Sequence, residues 1–299
     1  MRNSTDLKGV ICASVTPLTP QGTIDAQKLG QHCSAMLNAG CAFTSAFGTT
    51  GEGASFSARE KIAALTAMAQ SGMDMSRQVP GIMCCSVDDG AALYRAMADL
   101  GCRAALIIPP FYYEATSDGV ADFYATLIER AGAPDLDIVL YNFPHFSGVT
   151  FTPELVPAVS ARCGGRVVGV KDSTGDLDSG LALIGGLPDL SIFTGDDRIL
   201  SKMVAAGGAG LIGGMPNLYT ADCLSLYSGK ADDATEALAK QRIEAVDGNG
   251  GLMVLKALLA DRLGDAAFAR TAAPLRPAPT DLIARIIETL DAANELVSG

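Results

Sequence analysis

The chain has 299 residues, 48% of them hydrophobic and 18% charged, a length that suits one large α/β barrel or two ordinary domains. Its formal net charge of −11 argues against nucleic acid or an anionic membrane as a partner. A small anionic substrate stays open, because a pocket can be locally positive on an acidic protein.

Short β-branched or apolar runs alternate with longer helical patterns along the chain. Strands are predicted at 9–15, 41–47, 78–85, 103–108, 136–142, 166–171, 190–195 and 209–214. Helical patterns lie around 25–38, 57–71, 88–100, 118–131, 152–161, 176–186 and 197–206. Asp25, Ser57, Asp88, Ser117, Thr152 and Asp196 stand at or beside their N-termini, where short polar side chains cap free amides. Eight strands with helices between them predict a (β/α)₈ TIM barrel, with a doubly wound sheet as the main alternative. No Pro/Ser/Gly linker divides the first 215 residues. Residues 1–220 are therefore read as the barrel. Residues 221–299 are read as its last helix and a C-terminal helical extension, interrupted by PLRPAP at 274–279.

The eight cysteines (12, 33, 41, 84, 85, 102, 163 and 223) form no C-x-x-C and mostly sit among apolar neighbours, as buried free thiols do. Cys84 and Cys85 are adjacent, which suits neither a zinc site nor an ordinary disulfide. The segment MRNSTDLKGVICASVTPLTP carries no signal-peptide core, and no stretch approaches a membrane span. A soluble, reduced, cytoplasmic protein is expected.

Three stretches at predicted strand ends carry chemistry. In FGTTGEGASFS (47–57), Gly48, Gly51 and Gly53 allow close backbone approach, while Thr49 and Thr50 offer hydroxyls and amides just ahead of a helix. That combination suits a carboxylate; the plain alternative is an ordinary β–α turn, and no Gly-Lys-Ser/Thr makes it a P-loop. In YNFPHFSGV (141–149), Tyr141 alternates with Val139 and Asp137, so it points into the barrel, whether as a reactive phenol or as core filling. In RVVGVKDSTGD (166–176), Lys171 closes an apolar strand and is expected to share a face with Val167 and Gly169. It lies one β/α unit after Tyr141, so the two side chains are expected on neighbouring strands at one barrel face. A solvated lysine marking the strand exit is the plain alternative.

A lysine amine can form an imine with a 2-oxo acid, and the imine then serves as an electron sink for making or breaking carbon–carbon bonds. Lysine is almost wholly protonated at neutral pH, so this chemistry asks for a desolvated site that favours the neutral amine. A neighbouring phenol can relay protons. No cofactor beyond the covalent imine is expected. Metal-dependent aldol chemistry is disfavoured because His32 and His145 are far apart and in no ligand spacing, which leaves a carboxylate-only magnesium site as the metal alternative. Gly208, Gly210 and Gly213 spell G-x-G-x-x-G, but they follow a helical pattern and enter a strand, the reverse of a dinucleotide fingerprint.

With GTTGE (48–52), PPFYY (109–113), YNFP (141–144), GVKDSTGD (169–176) and TGDD (194–197) in this order, the chain resembles the dihydrodipicolinate synthases and N-acetylneuraminate lyases over about residues 8–220. The resemblance implies a TIM barrel, a Schiff base on Lys171 and Tyr141 as proton shuttle. It also implies that Thr49 and Thr50 hold the carboxylate, and that Gly195 and Ile212 belong to the pocket. Tyr112 matches a tyrosine that reaches a neighbouring subunit's site and links Thr50 to Tyr141, which implies a homotetramer of tight dimers.

Two departures bear on substrate. Where the synthases carry an arginine for the aldehyde partner's carboxylate, this chain has Phe146. Where the lyases carry an acidic pair for sugar hydroxyls, it has Asp197 and Arg198, with Gly214 in place of a serine. The expectation is a small 2-oxo acid as partner, with Arg198, aided by His145, meeting its acidic or polar distal group. A dihydrodipicolinate synthase, a sugar-acid dehydratase and a hydroxy-pyrroline-carboxylate deaminase share the same imine. A non-catalytic 2-oxo-acid sensor is the alternative from a different class.

Overall fold

The computed structural model describes the backbone of residues 6–298 and the side chains of residues 6–290; residues 1–5 and 299 of the predicted ranges lie outside it. Eight parallel strands alternate with helices in chain order. They are β1 (Gly9–Ala13), β2 (Phe43–Ser45), β3 (Gly81–Ile82), β4 (Ala104–Ile107), β5 (Asp137–Asn142), β6 (Val167–Asp172), β7 (Ser191–Thr194) and β8 (Gly210–Gly213). The ladder runs β2-β1-β8-β7-β6-β5-β4-β3. Its two ends meet through a parallel bridge between Thr44 and Gln78 and through Val79 N→Thr44 O and Gly81 N→Ala46 O, both 2.8 Å. The protein is a (β/α)₈ barrel. Pro80 has no amide to donate, which is why β3 is far shorter than the predicted 78–85 run and the closing seam is sparse.

The helices between strands are α1 (Ala26–Asn38), α2 (Ala58–Gln70), α3 (Val87–Asp99), α4 (Ser117–Arg130), the one-turn α5 (Pro144–Ser147), α6 (Leu155–Arg162), α7 (Leu177–Gly186) and α8 (Leu200–Ala205). Asp25 caps α1, and Ser57 with Glu60 forms a reciprocal capping box on α2. The caps of α3 and α4 fall on Ser86 and Thr116, just before the predicted Asp88 and Ser117. α9 (Pro216–Ser228) is the eighth barrel helix and straddles the predicted boundary at 220; α10 (Asp233–Asp247), α11 (Leu252–Leu263) and α12 (Thr280–Ser298) follow it.

Three apolar clusters hold these layers. Leu106, Val139, Tyr141, Phe193 and Ile212 fill the barrel, while Leu140, Val170 and Ile192 face the helices. A third cluster joins β1 and β8 to α9, α10 and α11 through Leu211, Ile243 and Leu258. Strand alternation accounts for most of this partition, with one exception in β6. Ile138 pairs with Val167 but Val139 pairs with Gly169, so Val168 is an extra residue in β6. Val168 turns into the barrel and Val167 faces the helices, so Lys171 does not share its face with Val167 as simple alternation predicts. A side chain at 169 would sit 2.5 Å from Ser191 O, so glycine is required beside β7.

Candidate active site

A cavity of about 470 Å³ opens at the C-terminal ends of the strands, and Lys171, Tyr141, Thr49, Thr50, Gly195 and Ile212 all line it. This is the barrel face on which loops and strand ends converge. Lys171 is in register with Tyr141 on β5 and Phe193 on β7. It is only 4% exposed, and its Nζ stands 4.2 Å from the centroid of the Tyr141 ring. Tyr141 in turn shares a hydrogen bond of 3.1 Å between its hydroxyl and Thr49 Oγ1.

The lysine rests on a rigid floor. Ser173 N→Asn142 O at 2.8 Å and Gly195 N→Asp172 O at 2.6 Å carry the strand pairing past the last ladder residues. Asn142 Nδ2 donates to Asp172 Oδ1 at 2.8 Å, and Thr174 Oγ1 donates to Asp172 Oδ2 at 3.0 Å. Burial pushes the Asp172 carboxyl up, against the pull of these hydrogen bonds. A Cβ at Gly195 would lie 2.0 Å from Ser173 Oγ and 3.2 Å from Lys171 Cε. The absent side chain is therefore what leaves room for the lysine.

The Thr49–Thr50 loop is equally fixed. Phe47 and Glu52 adopt left-handed backbone angles, with φ 62 and 54, and a Cβ at Gly51 would fall 2.6 Å from Phe47 N. Thr16 Oγ1 donates to Gly51 O at 2.6 Å, and the buried Lys61 of α2 donates to Gly53 O at 2.8 Å. Glu52 forms a wholly buried ion pair with Lys256 of α11, whose Nζ also donates to Thr16 O at 2.8 Å. Its second oxygen accepts from Ala272 N at 2.6 Å. This turn brings the Thr49 hydroxyl to Tyr141, the place the sequence resemblance assigns to Thr50; Thr50 lies against Gly214 instead.

The outer residues are arranged differently from expectation. Arg198 lines the cavity but is clamped by Asp196, with Nε 2.9 Å from Oδ1 and Nη2 2.6 Å from Oδ2, and it lies 4.0 Å from Asp247. His145 is exposed, packs 5.0 Å from Phe146 and is not among the lining residues, whereas Phe146 is. Tyr112 is 77% exposed, packs edge-on against Tyr113 at 4.9 Å and does not line the cavity within one chain. His32 is buried against Asn217, at 2.7 Å from its Oδ1, in a structural network behind β1. Among the described residues no group of three or more His, Cys, Asp or Glu is placed to hold a metal ion.

Asp197, which the sequence resemblance sets at a position of the lyases' acidic pair, also lines the cavity, as does Asp247, to which the sequence assigns no role. Asp197 is buried, accepts from Cys223 Sγ at 3.4 Å, and burial lifts its carboxyl from the usual range to about 7, with Asp196 adding repulsion. Its proton is held more tightly in the folded state, so stability falls as pH rises from the unfolded value near 4 to about 7. Asp197→Asn removes that term. Thermal unfolding of both proteins should show the variant gaining on the wild type from pH 4 to 7 by up to a few kcal/mol, then levelling off. A difference independent of pH would mean that the carboxyl stays ionised.

Residues 6–248 match the sequence model of the Dihydrodipicolinate synthetase family. The chain belongs to this family. It is 32% identical over 241 residues to an uncharacterised DapA-like lyase of Chloroflexus aurantiacus, covering 80% of each chain. Its fold superposes on the dihydrodipicolinate synthase of Agrobacterium tumefaciens with a TM-score of 0.89 and 30% identity, covering 95% of this chain and 99% of that one. A doubly substituted variant of the 2-keto-3-deoxygluconate aldolase of Sulfolobus solfataricus shares the fold at 21% identity, with a TM-score of 0.85 and 97% of both chains covered. Members of the family are lyases and aldolases, and the chain is an enzyme of that class. Among the described residues, no helix is long and apolar enough to cross a membrane.

Proposed function

We propose that the protein is a Schiff-base lyase that processes pyruvate or a related 2-oxo acid through an imine on Lys171. The observation that carries this reading is the near-buried amine of Lys171 against Tyr141, with the Tyr141 hydroxyl on Thr49. The amine attacks C2 of the 2-oxo acid, and the resulting carbinolamine loses water once its hydroxyl is protonated. The hydrogen bond between Tyr141 and Thr49 supports a part for both in delivering and taking back those protons. Amides and hydroxyls of the Thr49–Thr50 turn receive the carboxylate. The imine draws electrons from C3, so the C3–C4 bond can break to an enamine that is then protonated and hydrolysed. No metal or bound cofactor is required, because the imine is itself the electron sink.

Phe146 lines the cavity where a synthase would place its carboxylate-binding arginine, which favours a substrate other than that of the lysine-pathway synthases. In the proposed assembly, a homotetramer of tight dimers, Tyr112 completes the partner's proton relay; its 77% exposure in the single chain supports this. All eight cysteines are free, which supports a reducing, cytoplasmic location.

The test is borohydride trapping with pyruvate, read by intact-protein mass spectrometry and peptide mapping. A stable adduct on Lys171 is expected. A folded protein that traps neither pyruvate nor other short 2-oxo acids would point instead to a binding protein.

A further inference from the structure

Beyond Lys171 the cavity wall is a run of aromatic rings leading outward. Ring centroids of Tyr141 and Phe143 are 5.6 Å apart, and those of Phe143 and Phe146 are 4.6 Å apart. Val246, at the end of α10, and Leu252 and Leu255 of α11 add aliphatic surface to the same cavity. Phe146 lines the cavity and is 53% exposed, so its ring is open to a ligand entering there.

Charge at this end points the same way. Among the described lining residues the cations are Lys171 and Arg198. The Lys171 nitrogen becomes the imine beside the substrate's own carboxylate, and the guanidinium of Arg198 already holds both oxygens of Asp196. Asp196 offsets that one remaining cation, and Asp247 adds a further carboxylate beside it, so no positive charge is left over. A carboxylate or phosphate on the far end of the substrate would be desolvated beside net negative charge. A flat apolar ring would instead lie offset or edge-on against Phe143 and Phe146.

We infer that the fragment carried on C4 of the 2-oxo acid is uncharged and aromatic, so that the aldehyde released or consumed is of the benzaldehyde type. This rests on the imine reading above. In cleavage, the C4 hydroxyl gives up its proton, the C3–C4 bond breaks, and its electron pair passes into the imine to form the enamine while the aldehyde departs. Protonation at C3 and hydrolysis then return pyruvate and the free lysine. Condensation is the reverse, and neither direction needs an oxidant or reductant.

The experiment measures kcat/KM for condensation of pyruvate with benzaldehyde, glyceraldehyde and succinic semialdehyde, after pyruvate trapping has been scored on the same preparation. Benzaldehyde is expected to lead by about tenfold or more. In Phe146→Arg, with trapping scored again to show that the protein folds, the order should turn toward succinic semialdehyde. Trapping with a wild-type preference for glyceraldehyde or the semialdehyde, or turnover of none of the three, overturns this inference and leaves the imine intact. Absence of trapping overturns both.

Discussion

Lys171→Ala is expected to lower kcat/KM by about 10⁴-fold or more, the scale on which loss of a covalent nucleophile acts. Among the described residues lining the cavity, the other nitrogen-bearing side chain is Arg198, which stays protonated and bound to Asp196, so no second amine can take over. Tyr141→Phe is the informative companion. It keeps the ring beside Lys171 and removes only the hydroxyl shared with Thr49. Turnover should fall by about 10²- to 10⁴-fold, the usual reach of general acid–base catalysis. The two variants separate by borohydride trapping: Lys171→Ala gives no adduct with pyruvate, whereas Tyr141→Phe still gives one, more slowly. A Tyr141→Phe enzyme that trapped pyruvate at the wild-type rate would remove the phenol from imine formation.

Much of this centre is legible in the sequence because it depends on local pattern. Apolar strands ending in Lys171, Tyr141 and the GTTGE turn can be read from alternation and from glycine placement, and the barrel brings them to one face. Features set by register or by distant partners are not. The extra residue Val168 reverses the facing of Val167, and only pairing with β5 reveals it. Which threonine meets Tyr141 depends on the left-handed angles at Phe47 and Glu52, unusual for non-glycine residues and invisible to residue spacing. Arg198 reads as a free cation until its neighbour Asp196 and the distant Asp247 are seen around it. Asp247 and Lys256 belong to helices that carry no motif, although both reach the site or its supports.

Lys256 shows what such a long-range contact is worth. Glu52 and Lys256 are separated by 204 residues in sequence and are both fully buried, so their ion pair ties the Thr49–Thr50 turn to α11. Taking two charges from water is costly, and mutual attraction offsets the cost only while both are present. Burial pulls the Lys256 amine down and Glu52 pulls it back. Lys256→Met leaves the Glu52 carboxylate buried with the Ala272 amide as its remaining hydrogen-bond donor among those described. Urea denaturation should therefore show a loss of about 3–5 kcal/mol. Adding Glu52→Gln should restore most of that stability, because an amide can still accept from Ala272 without leaving a charge uncompensated. Activity should not follow stability back: without the Lys256 contacts to Glu52 and Thr16, the turn is freer and the carboxylate site less ordered, so KM for the 2-oxo acid stays raised in the double variant. Equal loss of stability in the single and double variants would show that Glu52 finds water or another partner. Wild-type KM in the double variant would show that the turn holds its shape without this tie.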